Sequence, residues 1–446
     1  MKRIIWFILI VALFCAVLLF TACSQDKSNS SITPVSGNLD TSFGIDGKVV
    51  TGMGIIGSSV NSVAIQTYGK IVVAGYSSSS SGLTDFTLAR YNNDGSLDTG
   101  FGTNGRVATD FSTNLDSANA ITTQADGKIV AVGYASTSSG YTDFALARYN
   151  TDGTLDISFG INGKVTTDFG TSYDSAYAVA IQTDGKIVAA GEGIQMSLAR
   201  YNTDGSLDTS FGTNGKVVTD FGLSGSTAYA VAIQTDGKIV AAGSGIGFSL
   251  VRYNTNGSLD TSFGTNGKVT ADTGDQFYTV ASAVVIQSDG KIVAAGSALF
   301  NTGLPYAGGY SYTAAPGFVY FALARYNTDG SFDASFGTGG KVATAFGPVP
   351  MIDRANAIAI QSDGKIVVVG GVWPVGYSYT PINADFAIAR YNTDGILDTN
   401  FGSNGKVTTD FGTFSDVAYG VAIQTDGMIV TGGVSSSSFA LARYLP

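Results

Sequence analysis

Residues 168–222 read DFGTSYDSAYAVAIQTDGKIVAAGEGIQMSLARYNTDGSLDTSFGTNGKVVTDFG, and most of the chain repeats this segment. Its glutamine, Gln182, recurs as Gln66, Gln124, Gln234, Gln287, Gln361 and Gln424. Its arginine, Arg200, recurs as Arg90, Arg148, Arg252, Arg325, Arg390 and Arg443. Seven copies, 52 to 74 residues apart, define a repeat architecture in which each unit buries its apolar faces against its neighbours.

Each unit supplies four strand candidates, here residues 178–182, 186–191, 197–202 and 216–221, the last repeating the KVTTDF of residues 164–169. Thr183-Asp184-Gly185 is a hairpin signal, because Asp-Gly supplies the positive φ of a primed turn. The connection of residues 202–215 keeps nearly the same length in every unit, and its Asn, Asp and Gly suit successive turns. In the third strand, Phe144, Leu146 and Arg148 alternate with Ala145, Ala147 and Tyr149. Such alternation suits sheets stacked face to face with both sides buried.

Four antiparallel strands repeated radially make a β-propeller. The expectation is an all-β chain: a seven-bladed β-propeller of four-stranded antiparallel blades over residues 37–446. A fourth strand, residues 48–51, precedes any first strand, and residues 439–444 form a third strand with no fourth after it. The ring is therefore expected to close through a split last blade.

The units GSLDTSFGTNGKV, AVAIQTDGKIVAAG and FALARYN resemble the delta-60 repeat family, predicted bacterial β-propellers often found in exported proteins. The resemblance covers residues 37–446. It implies the fold and a surface setting, and it brings no catalytic residues with it.

Lys2-Arg3, the apolar residues 4–20 and the ending Phe20-Thr21-Ala22-Cys23 resemble a bacterial lipoprotein leader. Residues 1–22 then form a signal peptide, Cys23 is the lipidated residue and residues 23–36 are a flexible tether. An uncleaved membrane anchor is the other reading. The expected location is outside the cytoplasm, lipid-anchored to the bacterial membrane at the cell surface or outer membrane. Cys15 lies in the leader, so the mature chain lacks a disulfide framework, a Cys-metal site and a cysteine nucleophile.

Net charge is −10, and no basic patch interrupts it, which argues against nucleic acid. Of 24 basic residues, seven are the repeated Arg, seven open the fourth strands (Lys48, Arg106, Lys164, Lys216, Lys268, Lys341 and Lys406) and six open the second. Lys2, Arg3 and Lys27 lie outside the repeats, and Arg354 alone is left over. Groups that recur with the scaffold are expected to be structural. The repeated Arg has a matching acid in Asp40, Asp98, Asp156, Asp208, Asp260, Asp333 and Asp398, and an Arg–carboxylate fork is expected to tie the third strand to its following connection.

The chain has no histidine, which removes His-based triads, His general bases and the usual zinc sites. Residues 52–57 match GxGxxG but lead into a strand, so the phosphate-binding helix is missing. The NTDGSLD stretch lacks the twelfth-position Glu of an EF-hand loop. Asp116, Asp174, Asp353 and Asp416 share one position eight residues before each Gln, in loops expected at the channel mouth. They are candidates for a Ca²⁺ site or for turn caps; no other cofactor is implied.

Length variation falls mainly on the connections after the second strands. These run long at residues 297–320 and 371–385 and hold Tyr306, Tyr310, Tyr312, Tyr320, Trp373, Tyr377 and Tyr379. Aromatics in such loops form a binding patch for a glycan or protein partner, or pack together as a lid. The favoured reading is a monomeric, surface-anchored binding module. The alternatives are a metal-dependent hydrolase or lyase using the channel-mouth Asp, and a structural surface protein without a specific ligand.

Overall fold

A computed structural model describes residues 35–446, apart from 54–55, 113, 171–172, 222–224, 246, 272–279, 301–317, 348–350, 375–382 and 413–414. Its architecture follows from the hairpin and alternation signals. Ser175–Ile181, Ile187–Glu192, Met196–Tyr201 and Lys216–Thr219 pair antiparallel in chain order as one four-stranded sheet. Asp184-Gly185 makes the first turn, with Gly185 at φ 83° and its N–H donated to the Gln182 carbonyl. The same order recurs in the sheets that begin with Ser58–Ile65, Asp116–Thr123 and Ala228–Ile233. The sets that begin with Val280–Ile286 and Met351–Ile360 form one sheet, joined by the single parallel pair Val319–Ile352. In the remaining sheet Asp416–Ile423, Ile429–Ser435 and Ser438–Tyr444 are followed by Lys48–Thr51, with Lys48 opposite Ala442 and Thr51 opposite Phe439. Ser36–Pro446 forms one compact unit.

Two strand boundaries differ from the sequence reading, each for a local reason. The fourth strand stops at Thr167 because the N–H of Phe169 leaves the ladder and donates to Asp174 Oδ2 at 2.7 Å. The first strand begins at Ser175 rather than Ala178, and a bulge between Ala176 and Ala178 absorbs the extra residue. Gly191 faces this bulge: a Cβ there would lie 1.9 Å from the Ser175 carbonyl oxygen, which leaves room for no other residue.

Apolar clusters span consecutive sets. Val188, Ala190, Met196 and Leu198 of one set pack against Ile239, Ala241, Val251 and Tyr253 of the next. Between the first two sets, Phe86 and Leu88 of one sheet meet Ala145 and Ala147 of the next, as the alternation requires. Each Tyr that ends a third strand is fully buried, and burial pushes its phenol far above the usual range. In five of the seven its hydroxyl bonds the Thr ending the preceding set's fourth strand: Tyr149–Thr109, Tyr201–Thr167 and Tyr391–Thr344 (each 2.8 Å), Tyr444–Thr409 (2.7 Å) and Tyr253–Thr219 (2.6 Å). The Tyr326 hydroxyl is buried without a partner. The residue at the matching register, opposite Phe248, is Ala271, which has no hydroxyl to offer. Ala271→Thr is therefore expected to stabilise the protein by about 1 kcal/mol. Denaturant titration checks this, and the gain should vanish in a Tyr326→Phe background.

Candidate binding surface

The repeated Arg sits between neighbouring sets. Arg200 Nε donates to Asp208 Oδ2 at 2.8 Å, and Lys186 Nζ reaches the same oxygen at 2.9 Å. Asp208 Oδ1 accepts both the backbone N–H and the hydroxyl of Ser210. The expected bidentate fork is absent here because the two carboxylate oxygens serve different donors. Arg200 Nη1 turns instead to the Thr255 carbonyl of the next set and to Gln182 Oε1. The guanidinium also lies 4.5 Å over the Phe211 ring. The bond to the next set repeats at Arg90, Arg148, Arg252, Arg325 and Arg443, whose Nη1 atoms donate to carbonyls of Thr151, Thr203, Thr328, Thr393 and Asn93. At Arg390, Nη1 donates to Gln361 Oε1 and Nη2 to the hydroxyl of Ser36.

Burial alone would raise the Asp208 carboxyl. The Ser210 hydroxyl, Lys186 and Arg200 outweigh it and hold the group well below the usual carboxylate range. Asp156, Asp260 and Asp333 behave alike. A depressed carboxyl contributes stability above its unfolded pKa of about 3.9, lost as pH falls below that value. The strand-opening lysines have scaffold partners too: Lys48, Lys164 and Lys406 donate to the carbonyls of Asp410, Asp110 and Ala345.

Asp116, Asp174, Asp353 and Asp416 do not assemble with one another. Each accepts the N–H of a Phe in the preceding loop: Phe111, Phe169, Phe346 and Phe411. They thus act as turn caps. Three of them instead lie close to two other carboxylates each, forming the groups Asp85–Asp110–Asp116, Asp143–Asp168–Asp174 and Asp385–Asp410–Asp416. Asp353 belongs to no such group among the described residues. Asp85, Asp143 and Asp385 were not singled out from the sequence. The available signal was an Asp five residues before the repeated Arg in those three units alone.

Of the aromatic candidates, Tyr306, Tyr310, Tyr312, Tyr377 and Tyr379 lie outside the described residues, as does Cys23. Tyr320 and Trp373 are described, and both stand on strands rather than in loops. Phe318–Tyr326 contains Tyr320, and Ile366–Pro374 contains Trp373. The hairpins run on because Met351–Ile360 pairs along the whole of Ile366–Pro374, placing Ile352 opposite Trp373. Arg354, exposed and two residues further along, lies 5.8 Å from the centre of the Trp373 ring. Within residues 37–446, the one basic residue outside the repeat pattern thus meets the one Trp.

Sheets of this order, repeated along the chain, make this a β-propeller protein of four-stranded antiparallel blades. Residues 69–101, 124–159, 182–211, 234–263, 306–336 and 361–401 match the model of a family described as a β-propeller domain of unknown function, DUF5122. No curated protein matches the sequence. Similar solved structures include a streptogramin B lyase, 12% identical with a TM-score of 0.49, covering 89% of this chain and 97% of that one. Another is a catalytically inactive virginiamycin B lyase from Staphylococcus aureus with quinupristin, 10% identical with a TM-score of 0.47 and coverages of 90% and 99%. A gluconolactonase from Xanthomonas campestris is 11% identical with a TM-score of 0.35, covering 72% and 90%. Likeness at this level says nothing of activity.

Two predictions follow from the buried charges. Arg200→Ala leaves Asp208 with Lys186 as its cation and takes the donor from the Thr255 carbonyl of the next set, and is expected to cost about 1.5–3 kcal/mol, measured by denaturant titration. Asp353 has the opposite sign. Burial pushes its carboxyl up to about 6, against the Phe346 N–H and Lys406, which pull it down. The folded state therefore holds this proton more tightly than the unfolded state, and stability from it is lost as pH rises through about 6. Asp353→Asn is expected to raise the melting temperature at pH 7, with the difference closing towards pH 4.

Proposed function

We propose that the protein is an exported, lipid-anchored binding module of the delta-60 type, a closed ring of seven blades that presents a glycan- or protein-binding surface beside Trp373. The Arg354–Trp373 pair carries this reading. Every other described Arg recurs with the repeats, whereas Arg354 is exposed, unique in the repeat pattern and stacked at the end of an extended hairpin. An aromatic face with an adjacent guanidinium suits a sugar ring or a peptide side chain.

Ring closure is supported by one bond that repeats between successive sets. Gly102, Gly160, Gly212, Gly264 and Gly337 donate their N–H groups to the carbonyls of Asp152, Asp204, Asn256, Asp329 and Asp394. Gly402 finds its acceptor in Ser36, and Gly44 finds its own in Asp94, so the last sheet bonds to both the set before it and the first. In this ring Lys48–Thr51 completes the last blade. Removing residues 37–53 exposes Ser438–Tyr444 as an unpaired edge and is expected to lower the melting temperature and promote self-association. Full stability in a monomeric truncation speaks against closure.

The binding reading is tested with Trp373→Ala on a glycan array and in pull-downs from the cell envelope. A Trp anchor costs about 2 kcal/mol or more of binding when truncated. Loss of binding with a melt within a few degrees of the parent supports the site. A fall of many degrees marks Trp373 as part of a packed lid.

A further inference from the structure

Each first strand lies against the first strand of the next set, and Asp416–Ile423 lies against Ser58–Ile65. In the ring proposed above these strands line the channel. Every one of them carries a bulge. Asn61, Asn119 and Asn356, the extra residues of three bulges, donate to the Ala118, Ala176 and Ala418 carbonyls of the following sets at 2.9, 2.9 and 2.8 Å. Tyr177, Tyr229 and Tyr419 take that place in three other sets and make no such bond among the described residues. The Tyr177 ring centre instead lies 5.4 Å from that of Tyr229. Stacking of the sheets does not call for these phenols, since asparagine or, at Ser282, serine suffices at the same position.

A second level of side chains stands two residues before the bulge. There Tyr76 pairs opposite Ser59, Tyr134 opposite Ser117 and Glu192 opposite Ser175. At the same register Arg354 stands opposite Gly371, so the long side chain comes from the first strand instead of the second. The two levels meet. Tyr177 donates its hydroxyl to Glu192 Oε2 at 3.5 Å. Burial and the neighbouring Tyr76 raise the Tyr419 phenol, and the Arg354 guanidinium lowers it. Tyr76 also raises Tyr134, after burial. Tyr76, Tyr134 and Tyr229 are half-buried and Tyr419 is 37% exposed. None of these four hydroxyls has a hydrogen-bond partner among the described residues, and Arg354 has no ion pair among them.

Resting on the glycan reading above, we propose that these first-strand residues bind an acidic oligosaccharide at the channel mouth, with Arg354 holding a uronate carboxylate and the tyrosines packing on the sugar rings. A phenol presents an apolar face and a polar edge. A pyranose presents the complement, a C–H face rimmed by hydroxyls. The planar guanidinium matches a carboxylate with two parallel donors, and Arg354 is the one basic group of residues 37–446 that the repeat does not employ. Glu192, the only Glu of the chain, accepts hydrogen bonds from sugar hydroxyls on another set. The centre of the site thus lies on the first strands, with Trp373 at its border beside Arg354.

The test titrates the full chain in detergent, by calorimetry, with trigalacturonate, trimannuronate and a hyaluronan tetrasaccharide, and with the methyl ester of each. Saturable binding of at least one acid is expected, weakened about tenfold or more in its ester and in Arg354→Gln, which removes a charged hydrogen bond from an exposed position. Tyr134→Ala, on a different set from Trp373, should also weaken it about tenfold. Tyr134→Leu keeps the bulk and serves if the first variant folds poorly. An ester that binds as tightly as its acid overturns the proposal. So does the absence of heat with all six probes, and a partner still captured through Trp373 then leaves the earlier reading standing without it. Binding lost in Trp373→Ala but unchanged in Tyr134→Leu and Tyr419→Ala likewise overturns the channel site while sparing that reading.

Discussion

The shared Asp208 carboxylate and the guanidinium that meets it underlie much of the rest of the structure. A four-stranded sheet cannot bury both faces alone, so each set depends on how firmly it is held to the next. Arg200 does this by dividing its nitrogens: Nε stays within its own set on Asp208, and Nη1 crosses to the Thr255 carbonyl. A lysine could not hold both directions at once, because it lacks the planar fork. The charges are buried, and they persist there because Ser210, Lys186, Gln182 and the Phe211 face satisfy what remains. The apolar contacts between sheets add non-directional attraction, while the Arg node fixes their register.

Much of the fold could be read from the sequence because the repeat supplies its own controls. Asp184-Gly185 announced a hairpin, and Phe-Ala-Leu-Ala-Arg-Tyr announced a strand buried on both sides; the structure has both. The fate of the Asp at position 174 was harder to read. Its residue type allowed a cap or a ligand, and the choice depends on where the Phe169 N–H points. The carboxylate groups were hidden for another reason. Asp385 and Asp410 are 25 residues apart, with Asp416 opening the following set, so their approach depends on how one sheet stacks on the next. No periodicity within one unit encodes that distance.

Trp373 shows the limit of reading length variation as loop. The extra residues after Ile366 extend the ladder, and only part of the insertion lies beyond it. Valines at 367–369 and 372 continue the β-branched pattern through the point where other units turn. Strand propensity therefore carried the hairpin outward and placed the indole against Arg354. A side chain on a hydrogen-bonded ladder keeps its position better than one on a loop.

The pairing of Lys48 with Ala442 joins positions separated by almost the whole repeat region. Closing so long a loop adds only logarithmically to the entropic cost, so native stability suffers little. Rate is another matter, because folding slows as contacting residues lie further apart in sequence. Lys48–Thr51 leaves the ribosome well before its partner exists. Until Ser438–Tyr444 follows, the earlier strand is an open edge looking for a neighbour, and the third strand of any other unit presents nearly the same sequence. The kinetic hazard of this protein is thus mispairing among its own copies. The departures from strict repetition, such as Met428 where the other units carry Lys, make the last sheet chemically distinct from the others.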